Sequence, residues 1–196
     1  GNIMTKQQKV RRLVESALMV ALSVVLSALP VFELPFGGSV TLFSQVPIIL
    51  IGFRYGMLWG METGLVFGVI QMMFGFNNFS YVSGIAAYLI LIFADYIVAF
   101  SCLGLGGMFK KVIKNQTVAI ALGAAVVSLI RYLCHFISGA TIWKEYAGDM
   151  PVWKYSLEYN GSYMLPELVI SVVGVVVLSL IFDLSSEKLI RHKKQK

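Results

Sequence analysis

Apolar runs long enough to matter return six times along this chain, and the basic residues between them fall almost entirely on alternate connections. A helix needs about 20 apolar residues to cross the hydrocarbon core of a bilayer. Charged residues make up only 13% of the chain and the mean hydropathy is +0.79. Soluble domains carry about 25% charged residues, so a soluble reading is excluded. Disorder is excluded too, since it requires low hydrophobicity. One integral membrane domain over 1–196 is the simplest organisation. It would have a cytoplasmic segment to about residue 12, a six-helix bundle over 13–183 and a basic tail over 184–196.

The spans are predicted at about Leu13 to Leu29, Val40 to Phe53, Gly56 to Phe74, Val82 to Phe109, Thr117 to Ile142 and Tyr163 to Phe182. The second is short and contains Pro47. With the N terminus inside, 13 of the 16 Lys and Arg residues are cytoplasmic, clustered at Lys6–Arg12, Arg54, Lys110–Lys114 and Lys188–Lys196. That satisfies the positive-inside rule and puts both termini in the cytoplasm. The basic tail reads as a topology signal and a leaflet anchor, not a nucleic-acid surface. The chain opens on Gly1, so the residues to about Met4 are expected to be an expression remnant. The first run reads as a membrane helix, since no Ala-x-Ala cleavage site follows it.

Ionisable groups inside spans are expensive and are functional candidates by default. They are Glu15, Glu62, Asp95, Arg131, His135 and Glu167. Glu15 and Glu62 lie near the cytoplasmic side, where snorkelling or local pairing accounts for them. Glu167 is expected near the outer end of the last span. Arg131 and His135 stand at i and i+4 on one face, which Gly139 and Trp143 continue. Two readings stay open here. One is an internal Arg131–Asp95 pair with a hydrogen-bonded core histidine. The other is a ligand-facing stripe, with Gly139 letting something approach the backbone.

The segment from Lys144 to Asn160 reads as an outer loop rich in Trp153, Tyr146, Tyr155 and Tyr159. It could cap a pocket suited to a flat, cationic heterocycle. An acid such as Asp95 would then pair with a basic or amino-bearing ring. The first outer loop, Pro30 to Val40, is either a plain turn or a lid. Ala17 and Ala21 form a small-xxx-small pair on the first helix, and Gly56, Gly60, Gly64 and Gly68 form a ladder on the third. Such stripes let helices approach closely. Cys102 and Cys134 read as small buried hydrophobes, with no metal or disulfide pattern. P-loop, HExxH and GxSxG motifs are absent, so ATP use would need a partner.

The chain resembles the thiamine-specific S components, ThiT type, of energy-coupling factor (ECF) transporters. The matching segments are GGSV at Gly37–Val40, DYIVAF at Asp95–Phe100, RYLCHFISGATIW at Arg131–Trp143 and PVWKYSLEYNGSYMLP at Pro151–Pro166, with AxxxA at Ala17–Ala21. The resemblance implies an all-α six-helix protein of the bacterial plasma membrane that binds thiamine from outside without catalysis or a cofactor. It implies partners as well, a transmembrane coupling subunit and two cytoplasmic ATPases. It assigns Asp95 with Tyr96 to the aminopyrimidine, and Arg131, His135, Gly139, Trp143, Tyr155 and Asn160 to the same pocket. Ala17 and Ala21 would dock the coupling subunit. A further pocket tyrosine is either Tyr81 or Tyr88. The first-loop tryptophan of some members has no match here, where Gly37–Ser39 lie. The alternatives are the same architecture binding a hydroxymethylpyrimidine or thiazole half, a small membrane enzyme using Asp95 and His135, and a structural subunit.

Overall fold

In the computed structural model, residues 4–186 and 188–192 are described. Residues 1–3, which hold most of the expected remnant to about Met4, lie outside them, as do Glu187 and the last four residues of the basic tail. The chain forms an α-helical bundle of α1 (Lys6–Ser27), α2 (Val46–Tyr55), α3 (Met57–Phe74), α4 (Ile85–Gly107), α5 (Gln116–Thr141) and α6 (Val152–Ile181). Helices α3 to α6 are long and apolar enough to cross a membrane. Helix α1 carries its charges in its first half, and α2 has 10 residues. A small hairpin, β1 (Pro30–Glu33) and β2 (Ser39–Thr41), joins α1 to α2.

Local chemistry sets the ends. Thr5 and Gln8 form a reciprocal capping box at the start of α1, which satisfies two amides that would otherwise be orphaned. Asn115 caps α5 through its side chain. Pro47 stands in the first turn of α2, where a missing N–H costs nothing. That places the start of α2 at Val46, six residues later than the span predicted from Val40, which begins in β2.

The basic end of the bundle is packed backbone to backbone. A Cβ on Gly60 would sit 2.4 Å from the Gly104 carbonyl oxygen, and one on Gly104 would sit 1.9 Å from the Gly60 carbonyl carbon. A Cβ on Gly64 would meet the Phe100 carbonyl at 2.5 Å. The glycine ladder of α3 is therefore the seam against α4. Gly56 is outside that seam, ending α2 with φ 98°. Glu15 does not snorkel alone, since Arg54 Nε holds its Oε1 at 2.5 Å and the Tyr55 hydroxyl donates to Oε2. Glu62 is exposed on α3. Leu184, placed in the tail by the sequence reading, is buried, and Arg54 Nη1 donates to its carbonyl at 3.1 Å.

The last helix corrects the sequence reading most. It starts at Val152, not Tyr163. Trp153, Tyr155, Tyr159 and Asn160 thus ride on its first turns, not on a loop. The connection is only a 3-10 turn over Lys144–Ala147 and a bend at Gly148, with φ 57°. The cause is amphipathicity. Ser156 and Asn160 face α5 while Trp153 and Leu157 face outward, so the segment has helical periodicity but low hydropathy.

Candidate functional site

A cavity of about 410 Å³ opens at the end of the bundle that carries the hairpin. Helices α3, α4, α5 and α6 wall it, and the β1–β2 turn covers it. Its volume lies within the range usual for small-molecule sites. Asp95, Tyr96, Arg131, His135, Gly139, Trp143, Tyr155 and Asn160 all line it. So does Glu167, which the sequence reading set near a helix end.

Asp95 and Tyr96 reach the cavity from a π-helical turn, Leu91–Ile97, within α4. Such bulges re-aim side chains and occur often at functional sites. Asp95 is held by three donors. His135 Nδ1 lies 2.9 Å from Oδ1, Ser138 Oγ donates to Oδ2 at 2.6 Å, and Trp143 Nε1 donates to Oδ2 at 3.3 Å. Arg131 Nε donates to His135 Nε2 at 3.2 Å, which leaves Nδ1 as the protonated nitrogen. Arg131 Nη1 donates to Gln45 Oε1 at 2.8 Å, and the guanidinium lies over the Phe100 ring at 4.5 Å. Gln45 in turn donates to Ser128 and Ser171. The direct Arg131–Asp95 pair does not form. His135 stands one turn nearer the hairpin than Arg131 and takes the carboxylate instead. Both its ring nitrogens are engaged, which removes it as a free general base.

Gly139 is tight for a different reason from the one expected. A Cβ there would lie 2.2 Å from Ser156 Oγ and 2.9 Å from Asn160 Nδ2. What approaches its backbone is α6. Asn160 is spent on the wall itself, donating to the His135 and Ser156 carbonyls and accepting from the Tyr163 hydroxyl at 2.8 Å. The hydroxyl of Tyr96 accepts from Asn78 Nδ2 at 3.0 Å. Tyr155 stacks on Tyr159 with centroids 5.9 Å apart.

The hairpin is a roof. The Tyr159 hydroxyl donates to the Pro35 carbonyl and accepts from the Gly38 amide at 3.2 Å. A Cβ on Gly38 would press on Tyr159 and Tyr163 at 2.9 Å, so only glycine allows this approach. The turn projects Phe36, whose φ of 66° is unusual for a non-glycine residue. Its ring centroid lies 4.2 Å from Tyr146, 5.8 Å from Tyr81 and 6.1 Å from Trp143. Phe36 was missed in the sequence, although it directly precedes the Gly37-Gly38 pair read as a lid. Tyr81 belongs to this roof, whereas Tyr88 packs on Phe79 at 6.0 Å. Neither lines the cavity.

Glu33, Asp95 and Glu167 give the lining three carboxylates against the single guanidinium of Arg131. An acidic cavity under an aromatic roof suits a flat cation. Among the described residues no group of His, Cys, Asp and Glu could hold a metal ion.

Comparison with known proteins bears on the same chain. The family described as "Thiamine transporter protein (Thia_YuaJ)" matches residues 13–186. The Thiamine transporter ThiT of Bacillus subtilis (strain 168) is 35% identical over 203 aligned positions, covering 97% of this chain and 100% of that protein. The protein of the same name from Lacticaseibacillus paracasei is 28% identical over 85% of each chain. A solved structure of ThiT from Listeria monocytogenes superposes with a TM-score of 0.69 at 23% identity, covering 87% of this chain and 93% of that one. It shares the fold.

Proposed function

This chain belongs to the thiamine transporter protein family, and on that premise we propose that it captures thiamine in the hairpin-roofed cavity, as the substrate-binding subunit of an ECF-type importer. The observation that carries the reading is the acidic, aromatic-roofed cavity, with three carboxylates to one guanidinium. Thiamine joins a neutral aminopyrimidine to a cationic thiazolium, so it asks for hydrogen-bond acceptors, flat aromatic faces and net negative charge.

In this reading Asp95 supplies charge beside the Trp143 ring, locked by His135 and Ser138. Arg131 fixes the neutral tautomer of His135. Tyr96 and Tyr155 contribute walls, and Gly139 and Asn160 hold α5 to α6. No residue acts on a covalent bond, and thiamine leaves as it arrived. Preorganisation of this kind raises affinity by reducing what must be ordered on binding.

Delivery requires partners. The chain has no P-loop, so a membrane coupling protein and two cytoplasmic ATPases supply the energy. Ala17 and Ala21 are exposed on α1 among Leu18, Leu22 and Val25, which suits a close helix–helix contact. The setting is the plasma membrane of a bacterium, with six spans and the basic end in the cytoplasm. Tryptophan fluorescence in detergent tests the ligand. Thiamine should quench saturably while riboflavin and biotin do nothing. An equal response to all three, or to none, would refute the reading.

A further inference from the structure

The hairpin brings an acid of its own to the cavity. Its strands pair antiparallel, with Glu33 opposite Ser39 and Phe32 opposite Val40. Side chains alternate between the two faces of a strand, and directly opposed residues share a face. Glu33, Ser39 and Thr41 therefore stand on one face of the hairpin, and all three line the cavity. Phe32 and Val40 stand on the other face, and neither lines it.

Exposure marks where the cavity meets the outside. Glu33, Gly37, Phe74 and Asn77 are the exposed members of its lining. They place the mouth between the hairpin and the end of α3. The two sides come close there, since a Cβ on Gly37 would lie 3.2 Å from Asn78 Nδ2. Glu33 is the charged residue of this rim. Among the described residues no hydrogen bond or ion pair engages its carboxylate. Further in, the charges are already committed. Asp95 is held by His135 and Ser138, and Glu167 by Thr41. Arg131 donates to His135 and Gln45. No lysine among the described residues lines the cavity. An anion entering would meet a carboxylate at the mouth and a cation whose Nε and Nη1 donors are engaged.

We propose, resting on the thiamine reading, that Glu33 is a specificity-determining residue. Its carboxylate favours the cationic, unphosphorylated vitamin and disfavours the phosphate esters of that vitamin. Thiamine carries one positive charge, whereas its diphosphate ester is a net anion at neutral pH. Removing the charge of Glu33 therefore moves the two ligands in opposite directions. Loss of a merely structural contact would move them together. A rim carboxylate is wet and screened, so each change is modest, on the order of two- to fivefold at low ionic strength. Rim charges of this kind act mainly on the rate of association and its salt dependence.

The test titrates thiamine and thiamine diphosphate by calorimetry into the full chain in detergent at low ionic strength. The unmodified protein should prefer thiamine. Glu33→Gln should weaken thiamine and tighten the diphosphate, which narrows their ratio by about fivefold or more. Glu33→Lys should move both ligands further in the same directions. Salt at about 0.5 M should remove most of the difference between the variants. A preference of the unmodified protein for the diphosphate, an unchanged ratio in both variants, or equal weakening of both ligands would overturn the assignment while leaving thiamine binding intact. No binding of thiamine by the unmodified protein would overturn the functional reading itself, and this inference with it.

Discussion

The two ends of the bundle are built from similar apolar helices yet behave as opposites. At the basic end, Gly52, Gly60, Gly64 and Gly104 bring α2, α3 and α4 into backbone contact, with no room for a side chain. At the hairpin end the same α3 and α4 part, and Gln71, Asn78, Asp95 and Tyr96 line the space between them and their neighbours. Small residues yield a seam and polar residues of moderate size yield a cavity. In an apolar solvent, helices gain little from burying apolar surface, so close packing and hydrogen bonds decide where they touch. Stability is concentrated at one end and recognition at the other.

The sharpest way to break this contrast is to overfill the seam. Gly104→Val would drive side-chain atoms into the Gly60 backbone, which cannot yield. The cost should reach or exceed the upper end of the usual 1–3 kcal/mol or so for overpacking. Scanning fluorimetry should show a midpoint lowered by roughly 6–12 °C, or no folded protein, with ligand binding lost in step. Asp95→Ala attacks the other end. Thiamine affinity should fall by about 100-fold or more, as for an anchoring contact, while the melting midpoint moves less than in Gly104→Val. Equal thermal effects in the two variants would erase the distinction.

A finer probe is Phe36→Ala. The roof then loses three aromatic contacts, each worth about 0.5–1.5 kcal/mol at most. Stopped-flow measurement should show faster thiamine release, with affinity weakened by about tenfold. The smallest effect on the isolated protein is expected from Ala17→Trp, on a face shared by neither end. Affinity for thiamine should stay within about twofold, whereas co-purification with the coupling subunit should be lost. Unchanged assembly would dismiss the α1 docking face.

Much of this was legible in the chain because periodicity and hydropathy speak directly. The fifth apolar run became α5, with Arg131, His135 and Gly139 on one face at the cavity. The glycine ladder was read as internal packing, and three of its four members serve it. Other features leave no such trace. Nothing in LIFADYI announces a π-turn, yet that turn aims Asp95. The first three turns of α6 carry Lys154, Glu158 and Asn160, so averaged hydropathy placed the helix start near Tyr163. That error set Glu167, already a candidate by its charge, near a helix end, whereas it lies buried well inside α6. Gln45, Thr41, Ser128 and Ser171 are small polar residues of a kind found on any surface, and only packing reveals them as the support behind Arg131 and Glu167. Phe36 stands in a stretch that is neither helical nor regularly alternating, so its role depends on a hairpin that local pattern does not announce.

In the proposed function, the cavity between the hairpin and α3 to α6 holds thiamine through Asp95 and Trp143. Label-free calorimetric titration of the purified chain, with Asp95→Ala and Trp143→Ala measured beside it, tests this most directly. One saturable site for thiamine is expected in the unmodified protein, with affinity reduced about 100-fold or more in both variants whose folding is verified by melting. Thiamine affinity left intact in both variants would contradict it.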